Sequence, residues 1–499
     1  MGSYPVTAAL GRKFRLGMLY DARTDQLLQG SALWDSAVLK SMTRTSPQPH
    51  SHFRLSSSDS AEEKASLLEI QASLRASVLC GFVEGEGSAK FLHDKQQFKN
   101  QSRVILQYKA STHFEQLSLT AGDWDNMKDR DMVQRGLATH VVTGIEYGGN
   151  VFFVFDSHVV QESELQEFKL NVKVVIDLIF FSVHFNYDED LTEEQKSIAE
   201  KLTVKWYSDF LLERSPATLA EAVQTYRDMS KLLGEHGESS VPVRVWMVPV
   251  THLNPAANGL VSRHISVGLV LEAEETLEDL DSFTMRSNEC LSVSAVGKFP
   301  ELQQQVHRFS KLCQSYSVEL QRQMAETCPA IREGTVEESV LRSLFDQRLM
   351  SPFSQDRLTK WLEDKEREVS VVQSCLDIME GELVLSTQAE LDKFVLAPGD
   401  EVRWVYVFTS LGNADPQLEE MGQYLNTLKL GETYEPQLQS VEVPWFNKDD
   451  VVSRMRQKAV NFHKNKGQVT QCVTARSGTS HIGAATYKYK NGLLVENYE

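Results

Sequence analysis

Residues 138–155 read ATHVVTGIEYGGNVFFVF, in which adjacent glycines, Gly148 and Gly149, separate two apolar, strand-like runs at 138–145 and 151–155. Glycine loses more backbone entropy on folding than any other residue. Inside a strand it marks a bulge, a bend or a close approach of backbone. A sheet built on this strand is therefore expected to be interrupted at its middle.

Two further stretches carry an unusual pattern. In LEIQASLRASVLCGF (68–82) the even positions are Leu68, Ile70, Ala72, Leu74, Ala76, Val78, Cys80 and Phe82. The odd positions are Glu69, Gln71, Ser73, Arg75, Ser77, Leu79 and Gly81. Ordinary strands average about 5–6 residues, whereas a membrane-spanning strand needs about 9–11. The run is long enough for the second. Yet Ala, Leu, Glu, Gln and Arg are good helix formers, and Leu67, Ile70, Leu74 and Val78 share one helical face. The stretch is readable as either structure.

In FKLNVKVVIDLIF (168–180), Phe168, Leu170, Val172, Val174, Ile176, Leu178 and Phe180 alternate with Lys169, Asn171, Lys173 and Asp177. The phase flips at Phe181, so that Val183, Phe185 and Tyr187 continue the pattern. Strands of transmembrane barrels alternate in this way, and so do half-buried strands of soluble sheets.

Composition narrows the function classes. With 51 Lys+Arg against 69 Asp+Glu the net charge is −18, which argues against a nucleic-acid partner and is silent about membranes. No run reaches the roughly 18 apolar residues of a transmembrane helix. VVIDLIFFSV (174–183) is too short and carries Asp177. MGSYPVTAALGRKFRLG lacks a signal-peptide core, so a soluble chain is expected, cytoplasmic or exported by an unconventional route. The six cysteines are scattered with no CxxC, which argues for reduced thiols and against disulfide or metal scaffolding. His50 and His52 are expected in a solvated loop. GEGSAK (85–90) lacks the spacing of a phosphate loop. No HExxH, nucleophile elbow or carboxylate pair is present, so neither catalysis, cofactor nor metal is expected.

Three domains are expected, at 1–265, 266–385 and 386–499. In the first, a polar tract (43–64) follows strands and loops. Thr192 with Gln195 predicts a capping box, Pro216 and Gly234 bracket a helix, and VPVRVWMVPV (241–250) is a strand. In the second, the stripes Leu302–Val306–Phe309–Cys313–Tyr316–Leu320 and Leu358–Trp361–Leu362–Val369–Val372–Leu376 predict a bundle. A capping box at Thr335/Glu338 and an N-cap at Ser351-Pro352 open two of its helices. In the third, helices at 387–395 and 416–429 flank a buried strand (402–411), and Asn491-Gly492 turns a hairpin.

ATHVVTGIEYGG (138–149) resembles the signature of the membrane attack complex/perforin and cholesterol-dependent cytolysin superfamily. Thr139, His140, Gly148 and Gly149 match it, and Ala138 stands where glycine is usual. The resemblance implies a central sheet that bends and then opens at the glycines. It also implies two flanking segments, here 61–102 and 157–201, that unfurl into membrane hairpins, with GEGSAK as the turn of the first. ALGRKFRLGMLYDARTDQLLQGSALWD (9–35), SRVILQYKASTHFEQL (102–117) and 135–156 are similar to the stonustoxin family of fish cytolysins. That family implies an α+β multi-domain fold: a perforin/cytolysin-like bent antiparallel sheet with flanking helical clusters, a helical bundle of the focal adhesion targeting type, and a thioredoxin-like domain.

Two departures from the family pattern stand out. The chain ends at Glu499, with no room for the family's PRY-SPRY domain. In addition, LGNADPQ and Gly483-Ala484-Ala485 supply no redox pair or cis-proline. The family implies a pore-forming protein that assembles on lipid membranes as a homo-oligomer or with a related subunit. Leu68, Ile70, Leu74, Val78, Phe82, Leu170, Val172, Val174, Ile176, Leu178 and Phe180 would then enter the bilayer, carrying Glu84, Glu86, Asp188, Glu189 and Asp190 near the turns. The alternative is a non-lytic cytosolic interaction or immune-related scaffold that retains the perforin-like fold. A β-branched pair at 148–149 is expected to leave the soluble fold intact and to stop the conversion.

Overall fold

The 18-residue strand β6 (His140–Ser157) is the spine of the protein. The computed structural model describes residues 6–119, 127–128, 130–157, 165–181, 190–210, 216, 218–234, 237–253, 263–398, 402–432, 434, 443–466, 470–476 and 481–498. The predicted continuation through Val183, Phe185 and Tyr187, with Asp188 and Glu189, lies outside the described residues. The chain divides into two compact units, residues 1–278 with 319–345, and 279–318 with 346–499. The division cuts the two long helices Val267–Ser292 and Pro300–Glu333.

Among the described residues the first unit holds an eight-stranded antiparallel sheet. Its strands are β1 (Val6–Ala8), β2 (Met18–Asp21), β3 (Gln26–Ala32), β4 (Thr43–Ser56), β5 (Ser102–Leu117), β6, β7 (Leu202–Ser208) and β8 (Val241–Pro249). β5 pairs with β6 from Gly144 to Ser157, and β2 pairs with its first residues, His140 and Val141. On its other edge β6 changes partner midway: His140–Gly148 pairs with β8 and Val151–Ser157 with β7. The switch falls at the glycine pair.

Most of the polar tract 43–64 forms β4, which corrects the reading of His50 and His52 as loop residues. Its 14 residues are almost wholly exposed and include Pro47 and Pro49, so no apolar period announces a strand. Backbone pairing to β5 defines it instead, from Thr43 opposite Leu117 to Ser56 opposite Ile105. Proline and polar side chains are tolerated there because, among the described residues, no strand pairs with its other edge. His50 and His52 accordingly lie on a strand, not in a loop, with rings 5.7 Å apart.

Between Ser56 and β5 run the short helices Ala61–Leu67, Ala72–Leu79 and Ser88–His93. After β6 come Leu165–Phe181 and Glu193–Glu200, the latter opened by the Thr192/Gln195 capping box. The next helix is Leu219–Leu232, capped by Thr218 with Glu221 and not begun at Pro216. Thr218 supplies a side-chain oxygen for an otherwise orphaned N–H, which proline does not.

Two other predicted caps differ. The Thr335 hydroxyl donates back to Ala330 O (3.0 Å), while the Glu338 carboxylate accepts from Ser266 N (2.7 Å), so no box forms. Ser351 closes a turn by accepting from Phe353 N (3.0 Å), and the following helix starts later, as Gln355–Ile378.

In the second unit the stripe residues Phe309 and Trp361 stack at 4.1 Å within a core that includes Phe283, Cys313, Tyr316 and Leu358. A five-stranded sheet follows, in order β13 (Leu493–Tyr498), β12 (Ala484–Lys490), β10 (Val402–Phe408), β11 (Thr470–Ala475) and β9 (Leu383–Leu385). β9, β11 and β10 are parallel, and β12 and β13 antiparallel. Asn491 (φ 51°) and Gly492 (φ 77°) make the two-residue turn that their sequence dictates.

Candidate site of conformational conversion

The glycine pair lies on a line of irregularities that crosses the sheet. Pairing slips between Pro47 and His50 on β4, between Ser111 and His113 on β5, and between Glu146 and Tyr147 on β6. Each slip kinks its strand and increases the local twist. A Cβ on Gly148 would lie 1.9 Å from Ala110 O, and one on Gly149 would lie 2.4 Å from the Phe210 ring. Gly148 thus admits a neighbouring backbone, and Gly149 admits a side chain that follows β7. This corrects the expectation for a β-branched pair: the fold as it stands already excludes Cβ atoms at both positions.

Asn150, the next residue, anchors the same place. The half-buried Asp209 accepts from Asn150 Nδ2 (2.9 Å), Asn150 N (3.3 Å), Ser88 N (2.7 Å) and Ser88 Oγ (2.8 Å). Burial pushes its carboxyl above the ordinary range, against the pull of these donors. Gly87 (φ 59°) approaches so closely that a Cβ would stand 2.5 Å from Asp209 Oδ1. GEGSAK therefore enters the helix Ser88–His93 tied to the strand beside the glycines. No sequence signal identified Asp209 or Asn150; the glycines at 85 and 87 were the visible trace.

The two segments dock on opposite faces of β5 and β6. Val104, Leu106, Val151, Phe153 and Phe155 face Leu165–Phe181 and its neighbours. Ile105, Phe152 and Val154 face the 61–93 helices, where Phe91 stacks on Phe152 at 3.9 Å. In the first segment Leu68 and Leu74 are buried, and Ile70, Val78 and Phe82 half-buried. In the second, the helix buries Leu165, Val172, Val175, Ile176, Ile179 and Phe180 at 3.6-residue spacing. Of the alternating set, Val172, Ile176 and Phe180 belong to that face and Leu178 is half-buried. Leu170 and Val174 are 62% and 43% exposed.

Polar clamps hold the first segment. Buried Arg103 on β5 pairs bidentately with Asp156 (2.7 and 2.8 Å) and also binds Asp94 (2.7 Å) and Asp59 (3.1 Å). Lys64 joins Asp59 (3.0 Å), and Lys205 joins Asp94 (3.3 Å). Glu69, in a left-handed conformation (φ 53°), bridges Lys109 (2.7 Å) and Arg244. Asp25 accepts from Tyr20, Ser77 and Arg332. Arg332 also donates to Ser73 O (2.6 Å), and Arg75 pairs with Glu274 (2.5 Å).

Thr139 and His140 secure the start of β6. The Thr139 hydroxyl accepts from Ala22 N (2.8 Å) and donates to Tyr20 O (3.1 Å), while His140 Nδ1 lies 2.9 Å from it. Burial lowers the His140 pKa to about 4, so the ring is neutral. Among the described residues no helix is long and apolar enough to cross a membrane, and no three His, Cys, Asp or Glu side chains are grouped to hold a metal.

A bent antiparallel sheet with helical segments docked on both faces defines a perforin/cytolysin-like protein, and residues 5–227 match the SNTX, MACPF/CDC-like domain. Residues 275–370 match the stonustoxin helical domain, and 382–498 the thioredoxin-like SNTX domain. The chain is 39% identical to neoverrucotoxin subunit alpha of Synanceia verrucosa, over 99% of its own length and 71% of that protein. It is 36% identical to stonustoxin subunit beta of Synanceia horrida, over 98% and 70%. The solved stonustoxin structure superposes with a TM-score of 0.79 at 32% identity, covering all of this chain and 70% of that one. The chain belongs to the stonustoxin family.

Proposed function

We propose that this chain is a pore-forming cytolysin whose segments 61–102 and 157–201 leave the central sheet and refold as membrane-inserting hairpins. Its three modules divide near residues 265 and 385. Leu68, Ile70, Leu74, Val78, Phe82, Leu170, Val172, Val174, Ile176, Leu178 and Phe180 face lipid in the inserted state. Barrel closure satisfies the backbone hydrogen bonds that opening the helices breaks. Gly148 and Gly149, where β6 changes partner, are the hinge. The action is mechanical and requires no catalytic group or cofactor.

The observation that carries this reading is the second helix. Its packing uses positions 172, 175, 176, 179 and 180, yet the sequence keeps Leu170 and Val174 apolar while leaving them in water. A helix alone does not require that; a period-2 strand facing lipid does. The relatives include proteins named as alpha and beta subunits, which supports assembly with a related chain or with copies of itself.

Liposome dye release tests the function, with the chain alone and combined with a related subunit. Release accompanied by rings in electron microscopy is expected. No release across neutral, anionic and sterol-containing vesicles, with no rings, contradicts it.

A further inference from the structure

We propose that Cys80 and Cys328 are a modification site: a reversible disulfide between them locks the first docked segment to the long helix and so gates its release. The gating rests on the pore-forming reading; the disulfide itself does not. The two sulfurs approach to 3.2 Å although 248 residues separate them in sequence. A disulfide needs about 2.05 Å, so closure asks for a shift of about 1 Å between side chains already aimed at each other. Cys80 follows the last turn of Ala72–Leu79, within the segment, and Cys328 lies on Pro300–Glu333.

The bond would stand among the contacts that insertion must break. One turn beyond Cys328, Arg332 holds Ser73 O and Asp25; two turns before it, Gln321 donates to Leu79 O (3.3 Å). Around the thiols pack Ala76, Leu269, Leu320 and Met324. This part of the segment is held by pairwise contacts that each break singly, and a covalent link converts them into one constraint.

The chemistry is ordinary exchange. The hydrogen bond from Cys80 pulls the Cys328 thiol below its usual range against the effect of its burial, and the Arg332 charge adds to the pull. When the eight-residue helix opens, the Cys328 thiolate attacks one sulfur of a low-molecular-weight disulfide such as oxidised glutathione, releasing one glutathione thiolate. Cys80 then loses its proton and displaces the second glutathione. Two thiols are oxidised by two electrons, and both protons end on the two glutathione molecules.

The full chain is incubated with oxidised glutathione, then examined by peptide mass mapping, by hydrogen exchange over 72–80, and by dye release, alone and combined with a related subunit. A Cys80–Cys328 peptide, slower exchange and loss of release restored by dithiothreitol are expected, with Cys328→Ser releasing dye regardless of oxidant. Absence of the linked peptide overturns the site. Linked protein that exchanges or releases dye as fast as the reduced form overturns the lock. Reduced protein that releases no dye, while linkage still slows exchange, supports the lock and counts against the pore-forming reading instead.

Discussion

The carbonyl oxygen of Ala110 occupies the space where Gly148 would carry a Cβ, at 1.9 Å. Backbone cannot yield as a side chain can, so Gly148→Val should lower stability by about 3 kcal/mol. Gly149 faces a ring instead, with Phe210 2.4 Å from a Cβ there. Gly149→Ala should therefore cost about 1–3 kcal/mol, and less in a Phe210→Ala background. Urea unfolding of the four proteins in that cycle measures the coupling. Additive costs would mean that the ring does not explain the glycine.

Buried Arg103 neutralises the buried Asp156 and the half-buried Asp59 and Asp94, with help from Lys64 and Lys205. Arg103→Met leaves Asp59, Asp94 and Asp156 facing two lysines. A loss of about 3–5 kcal/mol is expected, read as a shift of the denaturation midpoint. Because Asp59 and Asp94 flank the three short helices of the first segment, hydrogen exchange across 61–93 should also quicken.

His140 sets a pH dependence. Its pKa falls from the ordinary 6.5 to about 4 through burial, so the unfolded chain binds the proton more tightly. Its contribution is fully present above pH 6.5 and is lost as pH falls toward about 4, up to ~3 kcal/mol. Asp25 and Asp21 act against the shift, and His252 and His264 with it. The melting temperature of the parent chain should fall from pH 7 to 4.5, and that of His140→Gln should fall less.

The second helix separates soluble stability from conversion. Leu170→Ser and Val174→Ser should change stability by no more than ~0.5 kcal/mol, because both side chains are exposed. They should nevertheless suppress dye release. Ile179→Ala should do the reverse, costing about 2–5 kcal/mol in the soluble protein while keeping the alternating pattern intact.

Much of this was legible in the sequence. Local chemistry announced the Thr192 capping box, the Asn491-Gly492 turn and the stripes of the long helices, because each is set by neighbours within a few residues. The run 68–82 was legible only as two structures at once, and the structure shows a helix over Ala72–Leu79. The run 168–180 read as a strand, and the helix Leu165–Phe181 corrects that, because its buried positions 172, 175, 176, 179 and 180 follow the helical period. β4 was invisible because its strand state comes from the backbone of β5, not from its own exposed side chains. The Asn150–Asp209 anchor joins residues 59 apart in sequence, and the Arg332–Ser73 clamp joins residues 259 apart. No period or motif encodes such pairs. The same distance hid what glycines 148 and 149 make room for: the signature named them, but Ala110 and Phe210 explain them.

Spin labels placed singly at Leu170, Lys173, Val174 and Asp177, all exposed on the helix Leu165–Phe181, test the central claim most directly. All four start in water, and none of their side chains belongs to the packed face. On liposomes, labels at 170 and 174 should become accessible to a lipid-soluble quencher and those at 173 and 177 to an aqueous one. Labels that stay in water together, or that sort by helical face and not by alternation, would contradict the conversion of this segment into a membrane strand.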